Sequence, residues 1–87
     1  MQIWYVYIVE CRNGALYTGI STNVQKRVET HNRGKGSKSV IMHGIPVKLV
    51  YTEKIGSLSD ALKREREIKK LSRLDKLNLI RGDDAKT

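Results

Sequence analysis

The first half of the chain consists of short apolar runs separated by polar turns, a pattern typical of β-strands. Residues 3–9 are mostly β-branched or aromatic, so they predict a buried strand. The turn Arg12-Asn13-Gly14 and the apolar run at residues 16–20 predict the rest of a β-hairpin. A third strand is predicted at residues 47–51, directly after Pro46, because proline is tolerated at the start of a strand.

A helix is predicted after the hairpin. Ser21 or Thr22 provides its N-cap, since a side-chain oxygen there can accept a hydrogen bond from a free backbone N–H of the first turn. Val24 and Val28 lie four residues apart and form its inner face. The basic segment at residues 33–38 contains two glycines and is predicted as a loop.

The last third of the chain is helical. Residues 57–60 and 72–75 each resemble a capping box, so two helices are predicted, with a break near Leu71. Gly82 is the predicted C-terminal stop of the second helix. The resulting order, β-β-α-β-α-α, predicts an α+β fold with a small three-stranded, mostly antiparallel sheet and flanking helices.

Length and charge limit the function classes. With 87 residues, we expect a single domain at residues 1–82 and a flexible tail at residues 83–87. The 17 Lys and Arg against 9 Asp and Glu give a net charge of +8, which favours a nucleic-acid partner. A lone cysteine, Cys11, excludes an internal disulfide and is typical of the cytoplasm. The apolar run at the N-terminus is too short to span a membrane. We also expect the protein to be a monomer.

The register of the hairpin decides whether its tyrosines can form one site. A two-residue turn pairs Tyr17 with Glu10 and leaves Tyr7 and Tyr17 on opposite faces of the sheet. A three-residue loop with Gly14 in the left-handed conformation pairs Tyr17 with Val9, and the two tyrosines then share a face. The residue pattern allows both registers, but only the second permits a joint site.

An acidic residue interrupts the apolar stripe of the helix that begins after Ser57. At about 100° per residue, Glu65 falls near the middle of the stripe formed by Leu58, Ala61, Leu62 and Ile68. A carboxylate that faces a core is costly unless it is paired or coordinated. Glu65 is therefore either an ion-pair partner or a ligand of a cation such as Mg²⁺, which binds one carboxylate together with water and phosphate oxygens.

Basic side chains supply candidate phosphate contacts. Arg27 and His31 lie four residues apart on one flank of the first helix. A guanidinium matches phosphate oxygens, and an imidazole can bind phosphate or transfer protons. Taken alone, each is more typical of an ordinary basic surface residue. The candidate nucleic-acid-binding residues of the loop and the late helices are Arg33, Lys35, Lys38, Arg64 and Lys69.

Five elements, in order along the chain, closely resemble the GIY-YIG nuclease family. They are Tyr5-Val6-Tyr7, Leu16-Tyr17-Thr18-Gly19, Arg27, His31-Asn32 and Glu65. The tyrosine–glycine motif and the arginine ten residues after Tyr17 are the most specific of them. The resemblance extends from residue 4 to residue 77 and is greatest to small stand-alone bacterial members. It implies this α+β fold and the hydrolysis of phosphodiester bonds.

The resemblance also implies a role for each residue. Tyr17 would activate or orient the attacking water, and Tyr7 would shape the site and touch the scissile phosphate. Arg27 would stabilise charge on that phosphate, with His31 assisting nearby. Glu65 would bind a single divalent ion, Mg²⁺ or Mn²⁺. Since an unperturbed tyrosine titrates near pH ~10, a tyrosine base would need a lowered pKa.

Two functions from different classes fit these residues. The first is a metal-dependent endonuclease that acts on DNA rather than RNA, in repair or recombination. The second is a non-catalytic nucleic-acid-binding module on the same fold, consistent with the basic late helices.

The chain departs from the family pattern at two positions. Tyr5 stands where the family has glycine, and Asn78 is the candidate for a late asparagine that some members carry. Many family nucleases also carry a separate binding module, for which 87 residues leave no room. Substrate recognition would then depend on the basic surface of the domain or on a protein partner.

Overall fold

The sheet has a central strand with an antiparallel neighbour on each side. In the computed structural model, which describes residues 2–82, strand β1 (Trp4–Glu10) lies between β2 (Leu16–Ser21) and β3 (Lys48–Gly56). The helices of this described part are α1 (Val24–Asn32), α2 (Lys38–His43), α3 (Leu58–Lys69) and α4 (Arg73–Arg81). The predicted α+β class is confirmed. The tail expected at residues 83–87 lies outside the described residues.

The hairpin adopts the register that places both tyrosines on one face. Val9 pairs with Tyr17, and Tyr7 pairs with Gly19. The backbone N–H of Cys11 donates to the carbonyl of Ala15 at 2.8 Å, which closes a three-residue loop. Gly14 in this loop has a φ of 90°, a conformation that favours glycine. The three-residue alternative is therefore confirmed.

Helices cover both faces of the sheet, so the central strand is buried between two hydrophobic clusters. On one face Tyr7, Val9 and Cys11 pack with Val40 of α2 and Val47, and the inner valines of α1 cover them. On the other face Val6 and Ile8 pack with Ile68 of α3, while α4 contributes Leu79 and Ile80. This two-sided burial explains why residues 6–9 form a continuous apolar run rather than an alternating one.

Most predicted caps are confirmed. The Ser57 and Ser72 hydroxyls each accept a hydrogen bond from the backbone N–H three residues later, at 3.1 Å. Gly82 ends α4 in the left-handed conformation. The cap of α1 is Asn23 rather than Ser21 or Thr22, because the Asn23 side chain accepts from the N–H of Lys26. Helix α1 begins at Val24, so Asn23 is the residue directly before its first turn, and the Ser21 hydroxyl accepts instead from the Asn23 N–H at 3.0 Å.

Three features differ from the sequence prediction. Helix α2 begins at Lys38, the last residue of the predicted loop, and its six residues are too few to show a helical period in the sequence. Strand β3 continues to Gly56, since its second half pairs with the first half of β1. Leu58 and Leu62 are exposed, so the buried apolar stripe of α3 narrows to Ala61 and Ile68.

Among residues 2–82, no helix is long and apolar enough to cross a membrane.

Candidate active site

Three aromatic side chains from three elements meet on the face of the sheet that α1 covers. The ring centroids of Tyr7 and Tyr17 are 6.5 Å apart, and that of His31 lies 6.0 Å from Tyr7 and 5.5 Å from Tyr17. The hairpin register supplies the two tyrosines, and the last turn of α1 supplies the histidine. The structure thus brings together three predicted site residues that are up to 24 positions apart in the chain.

The inner layer of this cluster is a buried tyrosine–histidine pair. The Tyr7 hydroxyl and His31 Nε2 are 2.9 Å apart, and both side chains are inaccessible to solvent. Tyr17 is only partly buried, so it forms the outer layer. Because Tyr7 is covered, its expected contact with a phosphate stays a prediction.

Gly19 makes room for the buried tyrosine. A Cβ atom at this position would lie 2.6 Å from the Tyr7 hydroxyl, far closer than side chains approach each other. Gly19 does not have a left-handed φ, so a glycine is needed here because of the space available and not because of the backbone conformation. The glycine of the tyrosine–glycine motif is therefore explained by close packing of the Tyr7 ring.

Arg27 acts electrostatically on both residues of the inner layer. Burial raises the pKa of Tyr7 to about 12, although hydrogen bonding and the charge of Arg27 act in the opposite direction. Burial also lowers the pKa of His31, and the positive charge of Arg27 lowers it further. At neutral pH the inner pair therefore consists of a neutral phenol and a neutral imidazole. This argues against Tyr7 as the base of a hydrolytic reaction.

Glu65 belongs to the helix that packs on the opposite face of the sheet. It lies on α3, yet its negative charge contributes to the raised pKa of Tyr7. The side chain is 19% exposed and forms an ion pair with Lys69 across 3.3 Å. The ion pair that the sequence predicted as one alternative for Glu65 is therefore present. The carboxylate also remains partly accessible to solvent.

The donor set fits one kind of metal site. Among residues 2–82 there is no group of three or more His, Cys, Asp or Glu side chains that could hold a metal ion. A protein cage for zinc or calcium is therefore not formed by the described residues. A single accessible carboxylate fits Mg²⁺ or Mn²⁺, which keep water ligands and bind phosphate oxygens of a substrate.

The candidate nucleic-acid-binding residues divide into two groups. Arg33, Lys35 and Lys38 are exposed between and at the ends of α1 and α2. Arg64, in contrast, donates to Glu53 at 2.7 Å and to Glu67 at 3.2 Å. Lys69 is paired with Glu65. Of these five candidates, Arg33, Lys35 and Lys38 are therefore the cations that no carboxylate of residues 2–82 holds.

The ion pair of Arg64 links α3 to the sheet. Glu53 on β3 accepts from Arg64 and also from the Tyr51 hydroxyl at 3.0 Å. Hydrogen bonding to Glu53 raises the pKa of Arg64, so its guanidinium stays charged. This contact holds α3 on the sheet at the residue directly before Glu65.

Three further residues, which lie in the motif, beside it and on α4, make defined contacts. Asn32 bridges to the start of β3, because its Oδ1 accepts from the Val47 N–H at 2.6 Å. Gly36 lies against the His31 ring, and the sequence analysis assigned it only to a flexible loop. The presence of a second glycine in this loop was a signal in the sequence. Gly34 already provides the left-handed φ that follows α1, so backbone conformation does not explain Gly36. Asn78, the candidate late asparagine, accepts from Arg81 at 2.7 Å on α4.

The fold and the motif residues together define a family. A model of the GIY-YIG catalytic domain matches residues 3–78. The chain belongs to the GIY-YIG family, within the group of small bacterial proteins named UPF0213.

Relatives are similar over nearly their whole length. A UPF0213 protein of Syntrophus aciditrophicus is 51% identical over 77 residues, which cover 88% of each chain. One from Staphylococcus haemolyticus is 53% identical over 76 residues, covering 87% of this chain and 92% of the relative. The solution structure of a UPF0213 protein from Bacillus halodurans has a TM-score of 0.60 and 39% identity, and covers 97% of this chain and 88% of that one.

Proposed function

We propose that this protein is a metal-dependent endonuclease that hydrolyses phosphodiester bonds of DNA. The observation that carries the proposal is the convergence of Tyr7, Tyr17, His31 and Arg27 on one face of the sheet, within electrostatic range of Glu65. Membership in the GIY-YIG catalytic family supports the same reaction class. The net charge of +8 supports a polyanionic substrate.

The layering suggests a division of labour. Tyr17, Arg27 and Glu65 are partly exposed, so we assign the substrate contacts to them. Tyr17 would orient or activate the attacking water. Arg27 would neutralise charge on the phosphate as the water oxygen bonds to phosphorus and the opposite P–O bond breaks. Tyr7 and His31 would hold this arrangement from beneath.

Glu65 would hold a single Mg²⁺ or Mn²⁺ ion. When bound, the ion supplies positive charge next to the phosphate and polarises its oxygens. The Lys69 ammonium must first leave the carboxylate, which costs little because Lys69 is 52% exposed. Lys69 is therefore a counter-ion that such a cation would replace.

The test is cleavage of branched, flapped and plain duplex DNA in the presence of Mg²⁺. We expect Glu65→Gln to abolish cutting, because the amide carries no negative charge for a cation. Glu67→Gln is the matched control, since Glu67 lies on the same helix and its side chain, among the described hydrogen bonds, accepts from Arg64 alone. Equal cutting by wild type and Glu65→Gln would exclude the assigned role. Cleavage of RNA of the same shape, measured beside that of DNA, tests the preference for DNA. A role in repair or recombination requires that preference.

The alternative is a non-catalytic nucleic-acid-binding module. The exposed cations around α2 favour it, because they could contact phosphates without any chemistry. Tight, salt-sensitive binding without cutting, in wild type and Glu65→Gln alike, would support this alternative or a requirement for a protein partner. Light scattering of the free protein tests the expected monomer.

A further inference from the structure

Gly36 occupies a position where only a glycine fits. A Cβ atom built on it would overlap the His31 ring at Nδ1, and would also lie 2.9 Å from Cε1. The φ of Gly36 is outside the left-handed region, unlike that of Gly34 at 75°. The backbone conformation therefore does not require a glycine at residue 36. The requirement comes from the imidazole beneath it.

The Nδ1 atom of His31 is buried and has no hydrogen-bond partner within the described residues. In a glycine, a hydrogen replaces the Cβ, so a Cα–H bond of Gly36 points at Nδ1. A ring nitrogen with a lone pair tolerates such a contact as a weak C–H interaction. An N–H at this place would face another hydrogen and lack an acceptor.

This contact separates the two neutral forms of the imidazole. With the proton on Nδ1, the buried N–H points at the Cα–H of Gly36 and has no acceptor among the described residues. With the proton on Nε2, the N–H meets the Tyr7 hydroxyl oxygen 2.9 Å away, and only a lone pair remains against Gly36. Each form leaves one buried hydrogen without a described acceptor, on Nδ1 in the first and on the Tyr7 hydroxyl in the second. The steric contact at Nδ1 therefore separates them, because it admits a lone pair and not an N–H.

We propose that His31 carries its proton on Nε2 and donates it to the Tyr7 oxygen, and that Gly36 is the positioning residue that selects this tautomer. Because His31 Nε2 is the donor in this hydrogen bond, it cannot accept a proton from Tyr7. The Tyr7 hydroxyl hydrogen is instead left for an acceptor other than His31. The pair then holds Tyr7 as a phenol and does not relay protons. This consequence for the reaction rests on the proposed function, whereas the tautomer itself does not.

The direct test is the ¹⁵N NMR spectrum of the His31 ring in the free, folded protein at neutral pH. Long-range ¹H–¹⁵N correlations are expected to show a protonated Nε2 and an unprotonated Nδ1. A protonated Nδ1 would overturn the proposal. The result is independent of whether the protein cuts DNA, so failure of the proposed nuclease function leaves this test decisive. His43, which is exposed, serves as the reference ring in the same spectrum.

Variants extend the test to activity. In Gly36→Ala we expect displacement of the ring and loss of the Tyr7–His31 contact, seen as altered ring shifts in a protein that stays folded. His31→Gln keeps an N–H donor for Tyr7 and should retain cleavage within about tenfold, whereas His31→Leu should lose about a hundredfold. Equal loss in both variants would indicate that His31 accepts a proton, because glutamine cannot, and would contradict the proposal.

Discussion

The Glu65 carboxylate and the Lys69 ammonium lie 3.3 Å apart, one turn of α3 from each other. The lysine therefore occupies the charge position that a divalent cation would take beside the proposed site. Because the Lys69 side chain is 52% exposed, its ammonium can leave the carboxylate at little cost.

Removal of this lysine should strengthen metal binding. In Lys69→Met, Glu65 loses its competing cation, so half-maximal cleavage is expected at a Mg²⁺ concentration a few-fold lower than in wild type. A titration of cleavage rate against Mg²⁺ measures this. Lys70→Met is the control, since Lys70 is an exposed neighbour on the same helix end. An unchanged titration would mean that Lys69 does not compete with the ion.

Loss of the Tyr7 hydroxyl should affect stability as well as activity. Tyr7→Phe keeps the packed ring but leaves the buried His31 Nε2 without its partner, 2.9 Å away. We expect the free energy of unfolding to fall by about 1–3 kcal/mol, as for other unsatisfied buried groups. Chemical denaturation measures the change. Tyr17→Phe should cost less, because Tyr17 is partly exposed.

Acid should destabilise the fold through His31. Burial lowers the pKa of this imidazole below the ordinary value of 6.5, so the unfolded chain binds a proton that the folded one resists. Stability is therefore expected to be full above pH 6.5 and to fall as the pH drops below it. Denaturation at a series of pH values measures the slope. A profile for His31→Gln that falls as steeply as that of wild type would rule out this origin, and His43→Gln should leave the fall in place.

The two groups of basic residues should behave differently in binding. Lys35→Met removes an exposed cation, and the dependence of DNA affinity on salt should fall by about 0.9 in log–log slope if Lys35 contacts a phosphate. Arg64→Met should change this slope less, because Glu53 and Glu67 already neutralise the guanidinium. It should instead lower stability by about 1 kcal/mol or less. Equal slopes for both variants would contradict the division.

A substitution at Gly19 tests separately how tightly the inner layer, formed by Tyr7 and His31, is packed. Gly19→Ala places a methyl group 2.6 Å from the Tyr7 hydroxyl, inside a packed core. The expected cost is about 1–3 kcal/mol, typical of overpacking. Thr52→Ala, at an exposed position of β3, is the control. Wild-type stability of Gly19→Ala would show that the Tyr7 ring can move aside freely.

The candidate site was predictable where residue identity and short spacing decide chemistry. The order of Tyr7, Tyr17, Arg27, His31 and Glu65 along the chain pointed to the family, which the comparisons confirm. Their proximity was open at the sequence level, because two turn lengths fit the same residues. Long-range pairing chose between them: the loop closed by Cys11 and Ala15 places Tyr17 opposite Val9.

The fold class could be predicted from the order of the elements along the chain. The capping serines of α3 and α4 and the glycine stop of α4 could be predicted as well, because they depend on residue type and on contacts within one turn of chain. The sequence did not reveal that Arg64 is held by Glu53, that Leu58 and Leu62 remain exposed, or that Gly36 lies on His31. These contacts join separate elements, and their partners are fixed by packing, which no local pattern encodes.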